Sequence, residues 1–329
     1  MTNGPSLEVI KSLREAQREA IVRTPVVRCA GLESRMGDDT RVFAKLEFLQ
    51  RTGTFKARGA LAVLNSLSAA QRDLGVTAVS AGNHAIATAF AAKAVGASAK
   101  VVMIASASPV RIEACRAYGA EVVLADDVHE AFKAAQRIQQ EEGRFFVHPF
   151  EGADIAAATG TVGLEMCEQC DSFDALIIPV GGGGLIGGIS NSVKQIRPDC
   201  EIVGVEPEGA DTLHRSFAAG EPQAIDKVRT IADSLGAPFA MPYSYGLCRD
   251  NVDRLVLVDD LQLRRSMGLL FEAMKIAVEP ACAASTAALF GPLREQLCGK
   301  TVMLVFCGSN IDWATFQSQA IFEGSHADG

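Results

Sequence analysis

The stretch from Asp174 to Ile196, DALIIPVGGGGLIGGISNSVKQI, shows the unit from which this chain is built. Its first seven residues form an unbroken apolar run, which is typical of a buried central strand. The four glycines Gly181–Gly184 let the backbone approach a ligand closely, and a helical pattern follows them. Because a helix N-terminus then lies behind the loop, the segment predicts a strand–loop–helix unit with a phosphate-binding site.

The same alternation of strand and helix recurs along the chain. Further strands are predicted at 76–81, 99–105, 120–126, 201–207 and 301–308. Short loops join each strand to a helix, which favours parallel sheets covered by helices. We expect an α/β fold with two open, twisted, mainly parallel sheets, flanked by helices, and an active site in the cleft between two lobes.

Composition narrows the class of protein. The chain has 329 residues, of which 48% are hydrophobic, and a formal net charge of −8. An acidic chain of this kind argues against nucleic-acid and anionic-membrane partners. The sequence shows no secretory signal and no apolar run long enough to span a bilayer. Its 9 cysteines are scattered, which predicts a reducing cytoplasm. Cys167 and Cys170 form a C-x-x-C inside a helical pattern, without a second pair to complete a zinc site.

The glycine loop by itself has two interpretations. Gly182, Gly184 and Gly187 also fit the G-x-G-x-x-G fingerprint of dinucleotide-binding proteins. Glu206 ends a predicted strand at the position expected for an acid that binds a ribose hydroxyl. An NAD-dependent oxidoreductase is therefore one alternative.

A second segment favours a different cofactor. Lys56 follows Phe55 in the turn TGTFK and precedes an apolar helical pattern. A lysine in this setting can form a Schiff base, and the neighbouring ring can pack on a flat cofactor. Lys56 and the glycine loop together favour a flat cofactor that carries a phosphate group.

Nine segments in order, spread over residues 20–315, resemble the fold type II pyridoxal phosphate enzymes, in particular the serine/threonine dehydratase and serine racemase group. They are TGTFKARGA, SAGNHA, the Arg111–Gly119 helix before AEVVL, HPF, GGGGLIGG, VEPEGA, TIADSL, Glu279-Pro280 and CGSNID. The resemblance implies a large cofactor-binding domain (1–67 and 149–319), a small domain with a substrate loop (68–148), a flexible tail (320–329) and a homodimer.

The resemblance also assigns roles at the cofactor. Lys56 would be the Schiff-base lysine, and Phe55 would pack on the cofactor ring. Gly181, Gly182, Gly183 and Gly184 would hold the phosphate, and Asn83 would bind the ring hydroxyl. Cys307 would face the ring nitrogen. A thiol cannot supply the charge of a carboxylate, so the cofactor is a weaker electron sink, which suits a reaction such as β-elimination.

The resemblance places the substrate carboxylate on a loop formed by Ser80, Ala81, Gly82, Asn83 and His84, which precedes a helix and therefore favours an anion. Ser234 would border the substrate. The position of Ala81 is occupied by a serine base in racemases, so we expect poor racemisation. For His84, a bond to the backbone and direct catalysis both remain open.

The implied activity is that of a lyase in the dehydratase, or ammonia-lyase, class. The enzyme would remove water and ammonia from a small β-hydroxy amino acid similar to threonine or serine, and Lys56 would take the Cα proton. Alternatives are 3-hydroxyaspartate or a hydroxyectoine-derived amino acid as the substrate, and racemisation or β-replacement as the reaction. The candidate specificity groups are Arg58, His84, Tyr243, Tyr245 and Arg249.

A divalent cation occurs beside the phosphate in some relatives. Glu206 and Ala210 match two of its ligand positions, whereas Thr212 stands where those relatives have an aspartate. Because one carboxylate is replaced, a magnesium or calcium ion would be held by less charge.

Overall fold

The protein is described here by a computed structural model that covers residues 2–37 and 39–322. The expected flexible tail at 320–329 therefore falls mainly on residues 323–329, which lie outside the described residues.

The ten strands of the described chain belong to two sheets. Their bounds are β1 (Val26–Arg28), β2 (Arg41–Leu46), β3 (Val76–Val79), β4 (Ala99–Ile104), β5 (Glu121–Ala125), β6 (Phe145–Phe146), β7 (Ala175–Pro179), β8 (Glu201–Pro207), β9 (Arg254–Val258) and β10 (Thr301–Phe306).

Fifteen α-helices connect and cover these strands within the described residues. Their bounds are α1 (Leu7–Gln17), α2 (Ala30–Met36), α3 (Lys56–Ser66), α4 (Ala69–Leu74), α5 (Asn83–Val95), α6 (Pro109–Ala117), α7 (Val128–Glu142), α8 (Ala153–Gln169), α9 (Gly184–Ile196), α10 (Thr212–Ala219), α11 (Pro242–Asn251), α12 (Asp260–Met274), α13 (Pro280–Phe290), α14 (Arg294–Leu297) and α15 (Trp313–Gln319).

The larger sheet has the order β1-β2-β10-β7-β8-β9. Only the short edge strand β1 runs antiparallel to its neighbour, and every other pair in this sheet is parallel. The smaller sheet has the order β5-β4-β3-β6 and is parallel throughout. The predicted α/β fold with two mainly parallel sheets is confirmed.

The smaller sheet is drawn from one continuous part of the chain. Its strands begin at Val76 and end at Phe146, within the segment 68–148 for which a small domain is predicted. The six strands of the larger sheet come from both sides of this segment. The chain therefore passes from the larger to the smaller sheet between Leu46 and Val76, and back between Phe146 and Ala175.

Burial in the larger sheet explains its apolar strands. The side chains of β7 and of Val302–Phe306 in β10 are buried, and α13 covers this sheet with ten buried residues in succession. Fully burying one such aliphatic side chain stabilises the fold by about 1.5–3 kcal/mol. The strands therefore form a fixed frame, and the loops after β3, β7 and β10 project from their carboxyl ends, where open α/β sheets bind ligands.

None of the helices in the described residues has both the length and the apolar character needed to cross a membrane.

Candidate active site

A cavity of about 640 Å³ lies between the two sheets. It is lined by the loops that follow the carboxyl ends of β3 and β7, by the start of α3 and by the residue after β10. The lining includes every residue for which the sequence predicts a cofactor or substrate contact, namely Phe55, Lys56, Ser80, Ala81, Gly82, Asn83, His84, Gly181, Gly182, Gly183, Gly184, Ser234 and Cys307.

Lys56 is the first residue of α3 and points its amine into this cavity. Its Nζ donates a hydrogen bond to the carbonyl of Pro149 at 2.5 Å and lies 5.1 Å from the centroid of the Phe55 ring. Burial lowers the pKa of Lys56 to about 8, and the nearby Cys307 opposes this effect only in part. The amine is therefore a base whose free form is populated near neutral pH, as nucleophilic and proton-transfer roles require.

A buried ionic network fixes the helix that carries Lys56. Two residues after Lys56, the guanidinium of Arg58 binds Glu47 and Glu165 at 2.7–2.9 Å. Lys45 reaches the same Glu165 carboxylate at 2.5 Å. All four side chains are at most 2% exposed. The network holds α3 against β2 and α8, so the position of Lys56 is set by charges beneath it.

The glycine loop has the form of an anion cradle. A Cβ on Gly182 would lie 2.3 Å from the Phe150 ring, and one on Gly184 would lie 2.5 Å from the Phe150 carbonyl oxygen. Gly183 has φ +87°, a left-handed conformation that favours glycine. Among the described residues, the N–H groups of Gly181–Gly184 find no protein acceptor. Free N–H groups at the N-terminus of the 13-residue helix α9 fit a phosphate group.

Asn83 is held by a polar network at the edge of the cavity. Its amide nitrogen donates to Glu279 at 2.8 Å and to Ser234 at 3.1 Å, and its oxygen accepts from Asn310 at 2.8 Å. Burial raises the pKa of Glu279 to about 7, while Arg111 opposes the shift. Both amide hydrogens of Asn83 are thus engaged, so a ring hydroxyl at this position would replace the Ser234 contact.

His84 is oriented by the backbone. Its Nε2 lies 2.8 Å from the carbonyl oxygen of Val147, so Nε2 carries the proton and donates. Burial, with the positive charge of Lys56, lowers the pKa of His84 to about 3, so the ring is neutral at physiological pH. Of the two interpretations of His84, this geometry favours the backbone-bonded one.

Cys307 lies directly after β10, and its carbonyl accepts a hydrogen bond from the Phe55 N–H at 3.1 Å. A side-chain bond with Cys282 and burial together raise the pKa of Cys307 well above its ordinary value. The side chain is a neutral thiol, so it brings no negative charge to the cavity. The backbone hydrogen bond between Phe55 and Cys307 also ties the turn that contains Lys56 to the end of the central strand.

The sequence analysis missed an aromatic wall, which we define as Phe146, His148, Phe150 and Phe239. The ring centroids of successive members are 6.3, 4.6 and 6.2 Å apart, and all four rings line the cavity. The exposed ring of Phe132 joins the lining from α7. A signal existed in RFFVHPF, because residues at i, i+2 and i+4 of an extended chain share one face.

Arg111 is a second lining residue without a predicted role. It projects from α6, the helix between β4 and β5 of the smaller sheet. It pairs with Asp233 at 2.5 Å and more loosely with Glu279 at 3.4 Å. Its Nε also donates to the Asn310 carbonyl at 2.9 Å. Arg111 therefore connects the two halves of the protein across the cavity.

Four of the five candidate specificity groups are wrong. Arg58 is occupied by the buried network, and Tyr243, Tyr245 and Arg249 lie outside the lining. Residues of these types were attractive because they are polar and follow recognisable motifs. Their direction depends on packing that sequence spacing alone does not determine.

Glu206 is unsuited to either of the roles considered for it. It is fully buried, and its two carboxylate oxygens accept N–H bonds from Leu213 and His214, both at 2.7 Å. The start of α10 thus occupies one lone pair on each carboxylate oxygen, and burial raises the pKa of Glu206 to about 8, which disfavours the charged form that would hold a cation. Glu206 and Ala210 both lie outside the cavity lining. Within the described residues, no three His, Cys, Asp or Glu side chains form a metal-binding group.

The Schiff-base lysine position and the cradle of free N–H groups both fit pyridoxal phosphate, and comparison with known proteins agrees. The family model for pyridoxal-phosphate dependent enzymes matches residues 18–308. The chain belongs to this family. The predicted cofactor, pyridoxal 5'-phosphate, and the predicted fold type are thereby confirmed, and the dinucleotide alternative is set aside.

Several relatives are similar over most of their length. Phenylserine dehydratase of Ralstonia pickettii is 52% identical over 315 residues, which are 96% of each chain. L-threonine ammonia-lyase of Thermotoga maritima is 35% identical over 308 residues, 93% of this chain and 76% of the relative. A solved structure of maize serine racemase matches with a TM-score of 0.89 and 32% identity, covering 96% of each chain.

Proposed function

We propose that this protein is a pyridoxal phosphate-dependent ammonia-lyase that dehydrates a β-hydroxy amino acid with an aromatic β-substituent, such as 3-phenylserine. Loss of water and hydrolysis of the remaining enamine give a 2-oxo acid and ammonia. The observation that carries the proposal is the aromatic wall beside Lys56. The 52% identical relative, a phenylserine dehydratase, supports it.

Lys56 supplies the base. When bound, the cofactor provides the electron sink that makes the Cα proton of the substrate acidic. Lys56 takes that proton, and its pKa of about 8 keeps much of the amine available near neutral pH.

The remaining predicted residues hold the two anionic groups. The free N–H groups of Gly181–Gly184 receive the phosphate, and the loop Ser80–His84 receives the substrate carboxylate at the N-terminus of α5. Phe55 and Asn83 would contact the cofactor ring, and the neutral thiol of Cys307 would face its nitrogen. Ser234 lines the cavity beside Asn83 and would border the substrate.

The lining favours an aromatic β-substituent over an acidic one. A carboxylate at the β-carbon, as in 3-hydroxyaspartate, requires a cation in the cavity. Apart from Lys56, two cations among the described residues line the cavity: Arg111 is already engaged by Asp233 and Glu279, and Lys227 follows Asp226, which also lines it. A phenyl ring instead finds edge-to-face partners in Phe146, His148 and Phe150, and such pairs contribute about 0.5–1.5 kcal/mol beyond the area they bury.

The compartment, the kind of partner and the oligomeric state that we propose are those expected from the sequence. The cysteines are free thiols, which agrees with a reducing cytoplasm, and an acidic chain agrees with a small-molecule substrate rather than nucleic acid. We propose a homodimer with domain boundaries near residues 67 and 149. Light scattering on the holoenzyme tests the dimer, and a mass of one chain, 34.7 kDa, would contradict it.

The activity is tested by release of 2-oxo acid and ammonia. Wild type and Lys56→Ala are compared with L-threo-phenylserine, L-threonine, L-serine and L-threo-3-hydroxyaspartate. We expect wild type to prefer phenylserine in kcat/KM by at least about tenfold, and Lys56→Ala to be inactive with every substrate. A preference for threonine or hydroxyaspartate would overturn the aromatic assignment, and no release from any of the four would overturn the ammonia-lyase itself.

A further inference from the structure

The imidazole of His148 has one nitrogen fixed by the backbone and one that faces no protein group. Its Nδ1 accepts N–H bonds from Glu151 at 3.0 Å and from Phe150 at 3.3 Å. A ring nitrogen that accepts backbone N–H bonds carries no proton, so a neutral ring has its proton on Nε2. In the part of the chain that the structure describes, Nε2 has no protein hydrogen-bond partner.

The surroundings keep this ring neutral and in place. Burial lowers the pKa of His148 to about 4, while Glu151 opposes the shift. The rings of Phe146 and Phe150 pack on it edge to face, with centroids 6.3 and 4.6 Å away. His148 is therefore a single tautomer with an immobilised donor, in the manner of a neutral imidazole that polarises an oxygen.

His148 also lies at the reacting end of the cavity. The next residue, Pro149, uses its carbonyl to accept the hydrogen bond from the Lys56 amine at 2.5 Å. Lys56 and His148 line the same cavity. A substrate whose Cα faces Lys56 has its Cβ and its oxygen one and two bonds further along.

We propose that the Nε2–H of His148 donates a hydrogen bond to the β-hydroxyl oxygen of the substrate and stabilises it as the Cβ–O bond breaks. The inference rests on the proposed function, because it needs a β-oxygen leaving group. The Cα proton passes to Lys56 Nζ, and the Cα–H electrons form the Cα–Cβ double bond. The Cβ–O pair stays on oxygen, which takes the proton back from the Lys56 ammonium and leaves as water. His148 keeps its own proton throughout.

Two isosteric variants separate the nitrogens of the ring. His148→Asn keeps an acceptor near the Nδ1 position for the backbone N–H groups but removes the Nε2 donor. His148→Gln keeps an N–H near the Nε2 position. Each variant is assayed with L-threo-phenylserine, with L-threonine and with β-chloro-L-alanine, whose chloride leaves without a hydrogen-bond donor. Visible absorbance of the bound cofactor checks that both variants are loaded.

We expect His148→Asn to lower kcat by about 10²-fold for phenylserine, the usual loss for one donor that acts on developing negative charge, and by a similar factor for L-threonine, which has no ring to pack on His148. Elimination from β-chloro-L-alanine should be unchanged, and His148→Gln should recover most of the rate with both hydroxy substrates. A loss with phenylserine alone, an equal loss with all three substrates, or no loss with any of them would overturn the role of His148. A wild type inactive with every β-hydroxy amino acid would instead overturn the proposed function.

A second readout does not depend on turnover. Imidazole ¹⁵N spectra of the holoenzyme distinguish protonated from unprotonated ring nitrogens, and the chain has 5 histidines, so the His148→Asn spectrum identifies the His148 signals by difference. We expect an unprotonated Nδ1 and a protonated Nε2 at neutral pH. A proton on Nδ1, or on both nitrogens, would overturn the proposal whatever the rates.

Discussion

Lys56 owes its low basicity to burial rather than to a cation pressed against it. The two imidazoles nearby, His84 and His148, are both neutral because burial lowers their pKa values to about 3 and 4. The carbonyl of Pro149 is the partner of Nζ. The pocket thus tunes the lysine by excluding water, and the tuning survives when the charges of bound ligands change.

Because burial lowers the pKa of Lys56, the rate at which the protein binds its cofactor should depend on pH. Only the neutral amine attacks the cofactor aldehyde, and the neutral fraction rises with pH through the folded-state pKa of Lys56, about 8. We expect the rate of reconstitution, followed by visible absorbance, to rise up to this pH and then level off. A lysine with the ordinary pKa of about 10.4 would keep raising the rate through pH 10, and such a profile would contradict the assignment.

Gly182 lies at a position where the structure leaves no room for a side chain. An added methyl would lie 2.3 Å from the ring of Phe150, so either the loop or the aromatic wall must move. We expect Gly182→Ala to weaken cofactor binding at least tenfold, measured by titration of the cofactor-free protein. The control is Gly59→Ala in α3, where the new Cβ meets only Ile155 at 3.6 Å. Equal cofactor affinities in the two variants would show that the glycine loop can adjust to a side chain at Gly182.

The residues that a sequence reader finds are those whose roles depend on local chain geometry. Lys56 and Gly181–Gly184 sit in short motifs, and the structure brings them to one cavity. Phe150 and Phe239 are far apart in the sequence, and the fold brings their ring centroids to 6.2 Å. Polar types such as Arg58 were misassigned because motif membership does not say which way a side chain points.

At the scale of the element, α3 rests on charges that are closed off from water. Arg58 and Lys45 on one side face Glu47 and Glu165 on the other, so the network is neutral as a whole. Burial costs each ion its hydration, and only complete pairing offsets this cost. The network is therefore intolerant of losing any one member.

Removal of the guanidinium tests this intolerance. Arg58→Met leaves two carboxylates facing Lys45 alone, and we expect a loss of about 3–5 kcal/mol in the free energy of unfolding by urea. The control is Arg18→Met, whose partners Glu15 and Glu19 are exposed, and whose effect should stay below about 1 kcal/mol. Similar losses in both variants would mean that the buried network stabilises the fold no more than an exposed ion pair does.

Elements with strong patterns were predicted, and those with weak patterns were not. The apolar runs at 174–180 and 301–308 became β7 and β10, each shorter by one or two residues at its ends. The edge strand β9 was missed, because Arg254–Val258 is mainly half-buried and precedes a helix with its own signal. β1 and β6 have three and two residues, too few to show a period.

At the scale of the whole molecule, Arg111 is the main polar connection across the cavity. It is 8% exposed and reaches Asp233, Glu279 and the carbonyl of Asn310 from the opposite half. A Cβ on Gly82 would lie 2.7 Å from its Nη1, so the substrate loop packs directly under it. Arg111 therefore helps to set the relative position of the two halves and the shape of the loop, together with Asn83, which binds Ser234, Glu279 and Asn310.

We expect Arg111→Met to weaken the contact between the two halves of the protein and to make the substrate loop more mobile. We predict faster amide hydrogen exchange in α6 and in residues 80–84, together with a KM raised about tenfold or more, as for loss of a buried ion pair. Arg116→Met is the matched control on the same helix, since Arg116 is half exposed and pairs only with Glu113. Unchanged exchange in Arg111→Met would show that apolar packing alone holds the halves together.

The insertion of the smaller sheet into the larger one has an evolutionary consequence. Most of the residues proposed to face the substrate, namely Ser80–His84, Phe132, Phe146 and His148, fall within one continuous stretch of the gene. Lys56, Gly181–Gly184 and Cys307 fall outside it, as do Phe150, Ser234 and Phe239. Selection can therefore rewrite much of the substrate side through the stretch 68–148 while it keeps Lys56, the glycine loop and Cys307. A lineage of lyases and racemases with diverse substrates is the outcome that such a modular gene permits.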